Sequence, residues 1–172
     1  MKILVAGIGN IFYRDDAFGC EVVRRLQYRD LPPEVTVTDF GIRSYDLTYG
    51  LTDDFDVIIL VDAIPRGQPP GMVYLIEPDL SDVDKLEHAM AGAHTMNPMA
   101  AIRMAQANGG ISARLFLVGC EPETLEDEDG EMGLSKKVQD AIPEAMTMVE
   151  SLVGNLLQTG KPEHEIAGRF AA

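Results

Sequence analysis

Hydrophobic and polar positions along the chain fall into short blocks whose period switches between two and about 3.6 residues. Residues 3–8 (ILVAGI) are an apolar run bounded by Gly7 and Gly9, the pattern of a strand buried on both faces in a parallel sheet. A polar loop, 10–16, follows. Across 17–28, Phe18, Val22 and Leu26 recur every four residues and predict a helix, with Arg24, Arg25 and Arg29 left to solvent. Residues 35–39 (VTVTD) alternate as a strand does, and Ser44 is placed to cap a short helix through Tyr49. The clearest strand is 56–62 (DVIILVD), with Asp62 at its carboxyl end. The turn PRGQPPG then leads to a strand at 72–76 (MVYLI). That connection is too short for a crossover helix, so this strand is expected antiparallel to the preceding one.

Further along, Leu80, Val83 and Leu86 allow a turn or short helix within 79–93. Asn97 and Pro98 mark a helix start, with Met99, Ile102 and Ala105 facing the core. Residues 113–119 predict the last strand. Ser135 is a candidate cap for a final helix whose buried stripe is Val138, Ile142, Met146, Val149, Val153 and Leu156, and Pro143 inside it predicts a kink. The order β-α-β-α-β-β-α-β-α implies a three-layer α/β/α sandwich around a twisted, mostly parallel sheet of about five strands, one of them antiparallel. The 172 residues suit one domain, assigned to 1–157. A poorly patterned tail, 158–172, is expected to fray.

Charge narrows the partners. The formal net charge is -14, from 28 acidic and 14 basic residues, which argues against nucleic acid and anionic lipid as ligands. No signal-peptide pattern opens the chain and no apolar run reaches membrane-spanning length. Two cysteines, Cys20 and Cys120, make no disulfide framework. The expectation is a soluble, monomeric protein of the cytoplasm.

Open parallel sheets bind ligands beyond the carboxyl ends of their strands. Three loops leave such ends here: one with Asn10, Asp15 and Asp16, one with Asp39, Gly41 and Arg43, and one starting at Asp62. Cys120 directly follows the last strand, and His94 precedes the helix at Pro98 and can fold over the same edge. Two carboxylates and an imidazole suit nickel, zinc or manganese, and three protein ligands leave coordination positions open. Each residue also has a plainer reading. Asp62 can cap a turn. Asp16 can be the N-cap of the first helix, a ligand, or both through its two oxygens. Asp15 reads as a solvated neighbour, Asp39 as a residue that orients a basic group or closes a turn, and His94 as an ordinary surface histidine. GIGN at 7–10 begins like a dinucleotide fingerprint, but the third glycine is replaced by Phe12, and the glycines read better as a tight turn. Cys120, next to Glu121 and Glu123, has no basic partner to make a thiolate, and both cysteines read as structural.

Several ordered segments resemble the hydrogenase maturation endopeptidases, an aspartate-rich peptidase family. MKILVAGIGNIFYRDDAFG is similar to their first strand, loop and helix, DFGIRSYDL to their second strand and Gly-containing loop, and DVIILVDAIPRGQPPG to their third strand and turn. AHT at 93–95 occupies their histidine region, and GCEPETLEDEDGEMGLS is similar to their last strand and the approach to the final helix. The resemblance runs from Met1 to about Leu157. It implies that Asp16, Asp62 and His94 bind nickel and carry the chemistry, the first of these often being glutamate in relatives. It also implies the reaction: removal of a C-terminal extension from the large-subunit precursor of a nickel–iron hydrogenase after nickel insertion, with the nickel supplied by that substrate. Competing readings are a self-contained metal-dependent amide hydrolase, a noncatalytic precursor-binding chaperone and a nucleotide-binding module.

Overall fold

Side-chain alternation along three central strands feeds two separate cores, which is why the molecule has three layers. Ile3 and Val5 of β1 (Ile3–Ile8), Val57, Ile59 and Val61 of β3 (Val57–Ala63), and Phe116 and Val118 of β5 (Arg114–Cys120) point to one face. Leu4, Ala6 and Ile8, Ile58 and Leu60, and Leu115 and Leu117 point to the other. The first face is covered by α1 (Phe18–Leu26) and the long α4 (Lys136–Thr159), the second by α2 (Ser44–Thr52) and α3 (Pro98–Ala107). The computed structural model describes residues 1–80, 98–125 and 132–161.

The sheet has the order β2-β1-β3-β5-β4, with β2 at Val35–Gly41 and β4 at Val73–Ile76. The pairs β1–β2, β1–β3 and β3–β5 are parallel, and β4–β5 is antiparallel. The expected mixed sheet is therefore present, with one change of neighbour. The strand after the Pro- and Gly-rich turn skips β3 and pairs with β5, Val73 opposite Cys120 and Ile76 opposite Leu117. A short turn fixes direction but does not force adjacency, because β5 has already taken the free edge of β3.

Helix ends differ from expectation in instructive ways. Ser44 is the first residue of α2 rather than its cap, and the helix continues past Tyr49 to Thr52. Ser135 does occupy the N-cap position of α4, yet its hydroxyl makes no capping bond. That helix runs through Pro143 to Thr159 and ends on left-handed Gly160. The helix start expected at Asn97 and the turn or short helix expected within 79–93 fall largely outside the described residues.

Two glycines set the distance between β1 and α1. Gly9 has φ of 130°, and a Cβ there would lie 1.7 Å from the Asp16 carbonyl oxygen. Gly19 lets the helix backbone rest on the strand ends, where a Cβ would meet the Val61 and Ile8 carbonyl oxygens at 2.0 and 2.3 Å. Gly9 of GIGN thus serves a tight turn, and Gly19 serves close packing. Backbone cannot yield as a side-chain tip can, so Gly19→Ala is expected to cost about 3 kcal/mol and to lower Tm by roughly 6–12 °C in a thermal melt.

Candidate active site

The strand ends that converge beyond the sheet bring two of the three expected ligands together. Asp62 is the penultimate residue of β3 and is only 1% exposed. By alternation it follows Ile58 and Leu60 onto the face covered by α2 and α3. Asp16 lies in a single 3-10 turn, Arg14–Ala17, between β1 and α1, and is 3% exposed. The N-cap of α1 is Ala17, so the capping reading of Asp16 does not hold. Its Oδ2 instead accepts the backbone N–H of Asn10 at 2.8 Å, across the turn that Gly9 closes.

Asp62 is poorly satisfied for a buried charge. Its Oδ1 accepts the N–H of the next residue, Ala63, at 2.8 Å, and its Oδ2 is buried without a hydrogen-bond partner among the described residues. Burial pushes its carboxyl well above the ordinary range, and repulsion from the Asp16 carboxylate adds to this; the Ala63 N–H opposes both. Two adjacent buried carboxylates, one with an oxygen unpartnered among the described residues, repel each other when both are charged. The third expected ligand, His94, lies outside the described residues, four positions before Pro98 opens α3. Among the described residues, no group of three His, Cys, Asp or Glu side chains is placed to hold a metal ion.

Asp15 corrects the sequence reading most sharply. It is not a solvated neighbour but fully buried. Its Oδ2 accepts the N–H groups of Glu123 at 2.8 Å and Thr124 at 3.1 Å, and its Oδ1 accepts that of Ser135 at 2.6 Å. One carboxylate thereby ties the loop after β1 to the segment after β5 and to the start of α4. Glu121 plays a similar part beside it. Its two oxygens accept the N–H groups of Arg66 at 2.7 Å and Gly67 at 3.0 Å, holding the turn that leaves β3. Neither role has a sequence signal, since the donors are remote along the chain and are backbone groups that any residue supplies.

The cysteines are structural. Cys120 is fully buried, and its thiol is pushed up to about 12 by burial first, then by Asp15 and Glu121. Cys20 is raised still further by burial and by the facing Asp39 carboxylate, and its thiol donates to the Gly9 carbonyl at 3.4 Å. Neither thiol is expected to react with iodoacetamide at about pH 8 in the folded protein, so intact mass should show no adduct until denaturant is added. Asp39 closes its turn through the backbone, where its carbonyl accepts from the Arg43 guanidinium; the Phe40 carbonyl accepts from the same group at 3.1 Å.

Next to the carboxylates lies a cleft of about 280 Å³ between the loops that leave β1 and β2. Phe12, Phe40 and Ile42 line it, with Cys20, Arg24 and Asp39. No helix among the described residues is long and apolar enough to cross a membrane.

The same fold and sequence pattern recur in known proteins. The family model for HycI, hydrogenase maturation protease, matches residues 20–152. The hydrogenase expression/formation protein HupD of Bradyrhizobium diazoefficiens is 34% identical over 82% of this chain and 72% of its own. The hydrogenase 2 maturation protease of Escherichia coli is 29% identical over 87% and 88%. Among solved structures, the hydrogenase-maturating endopeptidase HybD from E. coli superimposes with a TM-score of 0.74 at 28% identity, covering 92% of this chain and 94% of that one. The paired aspartates at the sheet edge therefore sit in a peptide-bond hydrolase, and the chain belongs to the HycI hydrogenase maturation protease family.

Proposed function

We propose that this protease removes the C-terminal extension of a nickel–iron hydrogenase large-subunit precursor after nickel insertion, and that Asp16, Asp62 and His94 receive the precursor's nickel. The observation that carries this reading is the Asp62 Oδ2, buried without a partner among the described residues beside the Asp16 carboxylate. Such an arrangement is costly while empty and is relieved by a cation. A protease that needs its substrate's metal to relieve that repulsion engages the loaded precursor and ignores the unloaded one, which is specificity by differential binding. Nickel here is substrate cargo, and it brings Lewis acidity to the scissile region.

The chain's own groups supply the proton chemistry. Peptide hydrolysis needs a base to take a proton from the attacking water and an acid to return one to the leaving amine. Asp62, whose buried carboxyl binds its proton more tightly than an ordinary carboxylate, suits that exchange. Asp16, held by the Asn10 N–H, suits a fixed ligand. The test is processing of the purified precursor with and without nickel, followed by intact mass. Loss of only the extension, and only from the nickel-loaded form, is the expected result. His94→Ala is expected to lose processing while keeping the wild-type circular dichroism spectrum. Equal cleavage of the nickel-free precursor would overturn the nickel checkpoint. Failure to cleave either form would overturn the assigned reaction.

A further inference from the structure

We propose that Tyr74 is a positioning residue of the protease: laid across Gly119, it pins the backbone just after Asp62 and so fixes where that carboxyl group points. This rests on the role of Asp62 in the reaction proposed above and adds the residue that aims it. The need for such a device follows from what holds Asp62. Among the described residues its Oδ2 has no hydrogen-bond partner, and its Oδ1 accepts the N–H of the next residue, Ala63. That contact travels with the turn, so it does not anchor the carboxyl group to the rest of the fold. Repulsion from Asp16 works to push the two side chains apart. The aim of Asp62 is therefore inherited from the backbone of 62–64.

The sheet register supplies the anchor. Asp62 of β3 lies opposite Gly119 of β5, and Gly119 lies opposite Tyr74 of β4. Paired residues share a face, so the three form one row across the sheet. The middle position has no side chain, and the tyrosine ring lies over it. A Cβ at Gly119 would sit 2.3 Å from Tyr74 Cε2 and 2.9 Å from its Cζ. The ring thus bridges β5, and its hydroxyl donates to the carbonyl of Ile64, the second residue after Asp62. Strand β4, which skips β3 in the sheet, reaches back to the end of β3 through this side chain.

Other groups hold the N–H side of the same turn. The Ile64 N–H donates to the Cys120 carbonyl at 3.0 Å, and Glu121 accepts from Arg66 and Gly67. Tyr74 adds a hold on a carbonyl close to Asp62. The tyrosine itself has little freedom. It is buried, and the Arg66 guanidinium covers its ring at 5.1 Å from the centroid. Burial first, and then the Glu121 carboxylate, raise the phenol above its ordinary value, so the hydroxyl stays a protonated donor at neutral pH. Packing against Gly119 needs the ring alone; the hydrogen bond to the strand end needs the oxygen.

The test compares Tyr74→Phe, which keeps the ring and deletes the hydroxyl, with wild type and with Tyr28→Phe at an exposed tyrosine beyond α1. In Tyr74→Phe, kcat for processing the nickel-loaded precursor should fall roughly 10–100-fold, the loss typical of removing a group that orients a reacting one. KM should move less, because Asp16 keeps its separate hold on the Asn10 N–H. Amide hydrogen exchange, read by NMR on the protease alone, should quicken about tenfold at Ala63 and Ile64 and stay unchanged at Val5 of β1. Gly119→Ala, which displaces the ring, should give the same local signature, and Tyr28→Phe should change neither rate nor exchange. Wild-type kcat in Tyr74→Phe, a loss confined to KM, or exchange quickened across the whole sheet would overturn the positioning role. Absence of cleavage by the wild type would sink the processing reading instead, and the exchange rates at Ala63 and Ile64 would still decide the pin.

Discussion

Asp62→Asn is expected to abolish precursor processing while raising the thermal stability of the metal-free protein. Both effects come from one atom. Among the described residues Asp62 Oδ2 is buried with no hydrogen-bond partner, next to the Asp16 carboxylate. An amide in its place removes the repulsion, keeps an oxygen for the Ala63 N–H, and turns an unused acceptor into a donor that can face Asp16. Relief of one unsatisfied buried charged group is worth about 2 kcal/mol, or roughly 4–8 °C in Tm for a chain of this size. Function moves the other way. The neutral amide is a poor cation ligand and cannot accept the water's proton, so processing should fall by more than the roughly 10–100-fold typical of losing a supporting outer-shell group.

The pH dependence follows with a fixed sign. The folded carboxyl of Asp62 lies well above its unfolded value, through burial first and Asp16 second. Its contribution to stability is therefore complete below the unfolded pKa, about 3.9, and is lost as pH rises through the folded pKa. Wild type and variant should melt together near about pH 4 and separate progressively toward about pH 8. Melting curves in the presence of a chelator read this directly. A variant that melts below wild type at neutral pH would show that the Asp62 carboxylate is a structural asset, and the cation-site reading would lose its main support.

The neighbouring pair Asp15 and Asp16 should behave in opposite ways, and Asp15→Ala is expected to give the larger stability loss. Truncation strands three backbone N–H groups, those of Glu123, Thr124 and Ser135, at least the last of them in a buried setting. Hydrogen bonds to a charged acceptor contribute about 1.5–3 kcal/mol each, and their loss is not fully additive, so a total of about 4 kcal/mol is expected. That corresponds to a fall of roughly 8–16 °C in Tm. Asp15→Asn should recover little, because its amide nitrogen would point a donor at donors. Asp16→Ala should cost less stability, since the Asn10 N–H it accepts lies only six residues away and ties no remote segment, and should still lose processing. Urea titration of both variants, paired with the processing assay, separates the two roles. Equal destabilisation by Asp15→Ala and Asp16→Ala would contradict the assignment of Asp15 as the structural tie.

The sequence by itself was enough for the layered α/β architecture, because the predicted strands 3–8, 56–62 and 113–119 carry runs of consecutive apolar residues, such as Val57–Val61, and burial on both faces is what tolerates them. It placed Asp16 and Asp62 among several polar candidates at the strand ends of an open sheet, and family resemblance singled them out. Family resemblance, rather than spacing, singled out His94, which lies outside the described residues. Tertiary structure alone decided the rest. It seated β4 against β5, because edge availability depends on strands formed later in the chain. It buried Asp15 and made Glu121 the grip on the turn after β3, because their partners are backbone donors more than fifty residues away and leave no pattern in side-chain identity. It also left Phe12 and Ile42, each in a loop that follows a strand, facing water. Periodicity reports which face of an element is buried; which remote groups meet there is set only when the chain closes on itself.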